Sequence, residues 1–135
     1  MAKWYAGGCH CGAVRFEVKL EPGFAPDRCN CTICHKIGQT GVLLKPPAFR
    51  LLSGEEHLGR YEWGSRSATR HFCKHCGVHC YGAGHVPEIG GDFVSPNLNC
   101  LDDIDVNELE IVYYDGRQTA QMLMCRLVST KLPLT

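Results

Sequence analysis

The order of apolar and polar residues along this chain predicts strands rather than helices. Between residues 13 and 20, apolar side chains occupy every second position, at Val14, Phe16, Val18 and Leu20. This two-residue period is typical of a strand with one buried face. Similar short runs predict strands at residues 41–44, 49–52, 58–63, 68–72, 78–81, 93–94 and 109–114. The runs at 58–63 and 68–72 also predict a hairpin across residues 64–67.

Glycine and proline interrupt the chain so often that little room is left for long helices. Short helical turns are predicted at residues 32–37 and 101–105. Residues 120–128 are apolar without strict alternation, which predicts a helix or strand docked on the sheet, or an unstructured tail. We therefore expect an all-β, antiparallel protein with short connections. The length of 135 residues fits one domain, 1–135, with a thin core.

The charge balance disfavours two classes of partner. Fourteen basic residues offset fourteen acidic ones, so the chain lacks the positive field that usually attracts nucleic acid or anionic membranes. No apolar run reaches the ~20 residues that span a bilayer, and the residues before Cys9 lack a signal-peptide pattern. We therefore expect no nucleic acid or membrane partner and a reducing, cytoplasmic location. The sequence indicates no oligomeric state.

Cysteine is the unusual component of the chain. The ten residues are Cys9, Cys11, Cys29, Cys31, Cys34, Cys73, Cys76, Cys80, Cys100 and Cys125. Disulfides and metal sites are the two explanations for such a content. A reducing compartment disfavours disulfides, and the first seven cysteines form three short clusters whose members can face one ion. Metal binding is therefore the favoured interpretation.

The first and third clusters together predict a structural zinc site, here called the tetrad. Its members are Cys9, Cys11, Cys73 and Cys76. Four thiolates complete a tetrahedral zinc ion and leave no open position. Gly8, Gly12 and Gly77 flank the two pairs and let the chain fold tightly around an ion. Because ion binding becomes folding free energy, this site is expected to join distant parts of the chain.

The middle cluster predicts a different kind of site, here called the triad. Its members are Cys29, Cys31 and Cys34. Three protein ligands with an open fourth position are typical of catalytic zinc. Three thiolates leave a net negative charge, which suits the capture of a thiol better than the making of hydroxide. The alternative is that His35, His71, Cys80 or another residue closes the fourth position and that this zinc is also structural.

Three longer segments surround these clusters, at residues 7–16 (GGCHCGAVRF), 29–36 (CNCTICHK) and 72–78 (FCKHCGV). Together they resemble the glutathione-dependent formaldehyde-activating enzyme family, which includes the domain of centromere protein V. The match runs from about residue 5 to 116 and leaves an atypical tail at 117–135. The resemblance implies an Mss4-like β-tent of antiparallel sheets pinned by two zinc ions, with the tetrad structural and the triad catalytic.

The family's namesake reaction joins glutathione and formaldehyde into S-(hydroxymethyl)glutathione. The resemblance therefore implies a carbon–sulfur lyase that acts on a glutathione-like thiol and a small aldehyde. Arg15, Lys36 and Arg70 are candidates to bind the carboxylates of such a thiol, although each one singly is more typical of a solvated surface charge. His35 departs from the Arg or Lys that the family usually has at this place.

Other residues and function classes stay open at this stage. His10 and His75 are expected to point outward, and His71 could face the site or alternate away from it. Cys80, Cys100 and Cys125 are expected to pack in the core. A non-catalytic, zinc-stabilised scaffold that binds thiols or protein partners is the main alternative to an enzyme. A metal-storage or redox-sensing protein is disfavoured, because its cysteines would not need a β scaffold.

Overall fold

The computed structural model describes residues 1–62 and 66–116, and this part of the chain contains nine strands and one α-helix. The strands are β1 (Lys3–Gly8), β2 (Arg15–Leu20), β3 (Asp27–Cys29), β4 (Phe49–Ser53), β5 (Leu58–Tyr61), β6 (Ala68–Cys73), β7 (His79–Val86), β8 (Gly91–Pro96) and β9 (Val112–Tyr114). The helix α1 (Thr32–Ile37) is short. Short 3-10 turns connect several of the strands.

The strands form two antiparallel sheets and one parallel pair. The first sheet has the order β1-β2-β4, and the second has the order β5-β6-β7-β8. β3 pairs with β9 in parallel, across a long stretch of intervening chain. The mostly antiparallel β architecture with almost no helix confirms the expected fold class, and the β3–β9 pair is a parallel exception to it.

The core lies between the two antiparallel sheets. Along β2 the alternation predicted from the sequence is confirmed, since Phe16, Val18 and Leu20 are buried while Lys19 is exposed. The Phe16 ring stacks on Phe49 with centroids 5.4 Å apart. It also meets the ring of Tyr81 from β7 edge-on at 6.4 Å. The contact with Tyr81 joins the first sheet to the second.

The structure differs from the predicted elements in several places. Residues 41–44 form isolated bridges, such as that between Leu44 and Val94, instead of a strand. β7 continues past the predicted residue 81, because Gly84 lets β6 approach: a Cβ there would lie 2.2 Å from the Ser67 carbonyl oxygen. β1 was not predicted, and residues 101–105 lie between the 3-10 turns Leu98–Cys100 and Val106–Glu108 rather than forming one themselves.

Other predicted elements can be placed directly. The hairpin partners β5 and β6 are antiparallel neighbours as predicted, and the predicted turn at 32–37 is α1. Residues 63–65 of the hairpin region and residues 120–128 lie outside the described part of the chain. Within that part, no helix has the length and apolar character needed to cross a membrane.

Candidate metal centres

The four cysteines of the tetrad come together at one end of the core. Cys9 and Cys11 lie in the turn between β1 and β2, while Cys73 ends β6 and Cys76 follows it. Their four sulfurs all lie within 4.8 Å of one another. Cys9 Sγ and Cys11 Sγ are 3.6 Å apart, and Cys11 Sγ and Cys73 Sγ are 3.7 Å apart. Four sulfurs around a tetrahedral zinc ion, with Zn–S of ~2.3 Å, are separated by about 3.8 Å, so this set fits zinc.

Backbone amides point at the tetrad sulfurs. The amide of Val14 donates to Cys9 Sγ at 3.3 Å, and the amide of His75 donates to Cys73 Sγ at 3.3 Å. Gly12 and Gly77 adopt positive φ angles of 82° and 77°, which residues with a side chain rarely do. These two glycines allow the turns that aim the amides.

Backbone amides also stabilise the thiolate form of two tetrad cysteines, Cys76 and Cys73. Backbone amides of Cys11 and Val78 lower the pKa of Cys76 to about 6. The backbone amide of Cys76 likewise lowers the pKa of Cys73. At Cys11 the Ala13 amide acts downward, but burial and the neighbouring sulfurs raise the pKa to about 11. Four adjacent sulfurs cannot all be charged unless a cation lies between them.

The three cysteines of the triad are brought together by the end of β3 and the start of α1. Cys29 ends the strand, Cys31 is the N-cap of the helix, and Cys34 lies one turn along. All three are buried, and their sulfurs lie within 4.8 Å of one another. The Cys31 amide donates to Cys29 Sγ at 3.4 Å. Three clustered thiols form a suitable soft donor set for zinc.

The end of β9 and the residue after it support the backbone that carries the triad cysteines. The amide of Asn30 donates to the carbonyl of Tyr114 at 3.2 Å, and its side-chain Nδ2 donates to Asp115 Oδ1 at 3.1 Å. Asn30 lies between two triad cysteines, so these bonds fix the backbone that carries them. The parallel β3–β9 pair and this side chain together hold Cys29 and Cys31 in place.

No further His, Cys, Asp or Glu ligand atom joins the triad group within residues 1–62 and 66–116. The ring of His71 instead stacks on Tyr81, with centroids 4.3 Å apart, and burial lowers the pKa of His71. Cys80 lies in the core, where its thiol donates to the carbonyl of Val78. His35 lines the neighbouring cavity without joining the three sulfurs.

A cavity of about 440 Å³ opens beside the triad. This volume is in the range of small-molecule sites. The lining residues are Arg28, Cys29, Asn30, Cys34, His35, Gly38 and Gln39. Two triad cysteines therefore face the same space as a cation, two side-chain amides and an imidazole. The tetrad cysteines do not line it.

Arg28 is a site residue that the sequence analysis missed. Its Nε donates to the hydroxyl of Thr40 at 3.0 Å, and Thr40 is fully buried. This hydrogen bond fixes the orientation of the Arg28 guanidinium. Arg28 directly precedes Cys29, and this adjacency was the available signal in the sequence.

The three cations proposed from the sequence have different positions. Arg15 pairs with Asp102 at 2.5 Å, and Lys36 is exposed on α1. Neither residue lines the cavity. Arg70 is buried behind the triad, where its Nη1 donates to Gln39 Oε1. Of the three, only Arg70 contacts a group that lines the cavity.

A buried polar network behind the triad was also missed. Gln39 Oε1 accepts from Arg70 Nη1 at 3.2 Å and pairs with His79 Nε2 at 2.9 Å, while Gln39 Nε2 donates to Ser95 Oγ at 3.0 Å. Burial, and next the charge of Arg70, lower the pKa of His79 to about 3. The imidazole is therefore neutral and donates its Nε2 proton to Gln39. Nothing in the periodicity of residues 78–81 marked this histidine as a buried one.

The remaining predicted residues can be placed briefly. His10 and His75 are exposed, as expected, and His75 Nε2 pairs with His57 Nδ1 at 2.9 Å. Cys80 and Cys100 are buried in the core, as expected. Cys125 lies outside the described residues.

The fold and the two sulfur clusters define a small β protein with two separate sites that could hold metal ions, one of them beside a cavity. The model of the family described as "Glutathione-dependent formaldehyde-activating enzyme" matches residues 4–114. This chain belongs to that family, and the resemblance drawn from the sequence is confirmed.

Two relatives give the extent of the similarity. The chain is 38% identical over 78 residues to a Halomonas elongata protein named "Putative glutathione-dependent formaldehyde-activating enzyme", covering 52% of this chain and 50% of that protein. The matched part thus spans about half the length of this curated relative. A crystal structure of a Rhodobacter sphaeroides protein superimposes with a TM-score of 0.70 at 31% identity, covering 80% of this chain and 98% of that one.

Proposed function

We propose that this chain binds two zinc ions and uses the second to join a glutathione-like thiol to a small aldehyde. The tetrad would hold a structural ion and the triad a catalytic one. The observation that carries the proposal is the triad itself, three buried thiols within 4.8 Å of one another, of which two line a cavity of about 440 Å³. Family membership supports formaldehyde and glutathione as the substrate pair.

The chemistry suits a site with three sulfur ligands. When bound, zinc supplies a positive charge that lowers the pKa of a thiol in the fourth coordination position. In the reaction the thiol sulfur forms a bond to the aldehyde carbon, and the carbon–oxygen double bond becomes single. The proton that leaves the sulfur ends on the new hydroxyl oxygen, so no oxidant or reductant is needed. The product with formaldehyde is S-(hydroxymethyl)glutathione, which is the chemistry of a carbon–sulfur lyase in reverse.

The chain's own residues have separable roles in this proposal. Arg28 faces the cavity, and its guanidinium would bind a carboxylate of the thiol substrate. His35 lines the same cavity and could pass the proton to the product oxygen. The walls hold both substrates close together, which matters because thiols and formaldehyde already combine readily in water.

The location and partners follow from the same chemistry. The two clusters of cysteine sulfurs need a reducing compartment to stay available for metal, so we propose that the protein works in the cytoplasm. Its partners would be the small thiol and the aldehyde, with neither nucleic acid nor membrane involved. We propose that residues 1–135 form one domain.

Titration calorimetry and metal analysis test this function on the full chain. We expect two zinc ions per chain, one of them removed first by mild chelation. Glutathione should bind saturably to the wild type, and an adduct assay at low protein concentration should show faster product formation. Cys31→Ser should lose one ion and the glutathione binding while staying folded. Cys100→Ser, which changes a buried cysteine outside both clusters, is the matched control and should retain both.

Three outcomes would overturn the proposal. Two zinc ions with no glutathione affinity would support the alternative of a non-catalytic, zinc-stabilised scaffold for protein partners. Glutathione binding with no rate enhancement would support a non-catalytic thiol-binding protein. Binding that survives Cys31→Ser would show that the triad is not the thiol site.

A further inference from the structure

The side chain of Arg70 is buried beside the triad. Arg70 is only 7% exposed, and its Nη2 is 3.9 Å from Cys34 Sγ. Its strand partner across the second sheet is Gly82. A Cβ on this glycine would already touch Arg70 Nη1 at 3.4 Å. The absence of a side chain at Gly82 therefore leaves the room in which the arginine lies.

The guanidinium is held in a fixed orientation. Its Nη1 donates to Gln39 Oε1, which also pairs with His79 Nε2. The amide end of Gln39 donates to Ser95 Oγ. Gln39 and His79 are both buried, so this network cannot exchange its bonds freely with water. A buried, hydrogen-bonded frame of this kind is how neighbouring residues orient metal ligands.

The positive charge of Arg70 can offset the negative charge of a triad that holds zinc. Three thiolates around a divalent ion leave a net negative charge, and a bound substrate thiolate adds another. Burying negative charge is costly unless a positive group lies nearby. Hydrogen bonds from a charged donor to a charged acceptor are also stronger than neutral ones.

We infer that Arg70 is a positioning residue for the triad: its fixed guanidinium stabilises the Cys34 thiolate and thereby strengthens the hold on an ion at this site. The inference rests on the proposed function only in that the triad binds zinc. It assigns Arg70 a contact with a metal ligand instead of the substrate carboxylate suggested by its charge. Gln39 then acts through Arg70 by fixing its orientation.

Competition with a chromophoric chelator tests this role on the full zinc-loaded chain. Arg70→Met keeps a long apolar side chain but removes the charge, and we expect the zinc affinity of the triad to fall about 10- to 100-fold. Arg70→Lys keeps the charge without the two-armed geometry and should recover part of that loss. Arg60→Met, at an exposed position on neighbouring β5, is the matched control and should change nothing.

The tetrad provides an internal measure of folding, because its ion should stay bound in every variant. Cobalt loading gives a second readout, since the absorption of the triad-bound cobalt should change in Arg70→Met and that of the tetrad should not. An unchanged triad affinity in Arg70→Met would overturn the inference. An equal loss in Arg70→Lys would show that shape rather than charge matters, and would overturn it too.

Two further outcomes keep the test decisive. If Arg70→Met also loses the tetrad ion, Arg70→Lys and Gln39→Met carry the test, and unchanged triad affinity in both would overturn the inference. If the wild type binds a single zinc ion, in the tetrad alone, the proposed function itself fails. That result is distinguishable because it appears before any variant is made.

Discussion

The buried imidazole of His79 makes the folded protein sensitive to acid. Its side chain is almost fully buried and hydrogen-bonded to Gln39, and burial lowers its pKa from 6.5 to about 3. The unfolded chain takes up a proton at this residue below about pH 6.5, whereas the folded chain does so only near pH 3. Folding therefore loses stability as the pH falls between these two values.

The size of the loss follows from the pKa difference. At pH 5 the pH lies about 1.5 units below the pKa of this histidine in the unfolded chain. Each of these units favours the unfolded state by about 1.4 kcal/mol, because the folded state does not bind the proton at this pH. We expect this histidine alone to lower the free energy of unfolding by about 2 kcal/mol between pH 7 and pH 5.

Urea denaturation of the zinc-loaded protein at pH 7, 6 and 5 measures this effect. His79→Gln keeps an amide donor for Gln39 but cannot titrate, so its loss on acidification should be smaller than that of the wild type by about 2 kcal/mol. Metal release in acid affects both proteins and cancels in the comparison. His85→Gln, at an exposed histidine, should lose as much as the wild type. Equal acid losses in His79→Gln and the wild type would refute the reasoning.

Three further substitutions test the core, a turn and the cavity. Phe16→Ala should lower the free energy of unfolding by about 3–5 kcal/mol in urea, because Phe16 is fully buried between Phe49 and Tyr81; a loss below 1 kcal/mol would contradict its central position. Gly54→Ala should lower the free energy of unfolding clearly more than Gly12→Ala in the same assay. Both glycines have positive φ, but only at Gly54 would a Cβ meet a backbone oxygen, at 2.0 Å. Equal losses in the two variants would contradict this packing. Thr40→Val removes the acceptor of Arg28 Nε and should weaken glutathione binding about tenfold in calorimetry with metal content unchanged; full affinity would argue against a role for Arg28 in binding.

The sequence predicted what depends on local pattern. The alternation from Val14 to Leu20 identified a strand and its buried face, because a two-residue period can be seen without knowing the partner strand. The spacing of the seven clustered cysteines similarly predicted two sets of sulfurs, since ligands two or three residues apart must meet at a turn. The structure brings each set together.

What the sequence did not predict depends on contacts between distant residues. β1 has no alternation of its own, and it is a strand because β2 pairs along its whole length. Gly82 and Gly84 suggested a break, yet they lie inside β7, where they give room to Arg70 and to the backbone of Ser67. His79 and Gln39 looked like ordinary polar residues, since only the folded chain places each beside the other.

The pairing of β3 with β9 has a consequence for how the newly made chain matures. Asn30 and Asp115, which close this junction, are 85 residues apart, whereas Cys76 completes the tetrad much earlier in synthesis. All four tetrad cysteines therefore leave the ribosome before the β3–β9 pair beside Cys29 can form. During that interval the triad lacks the supporting contacts from β9 and Asp115. Long-range parallel pairing of this kind also forms slowly. Biogenesis of this protein should thus depend on the cell's thiol-protecting capacity most strongly between the synthesis of Cys34 and that of Asp115.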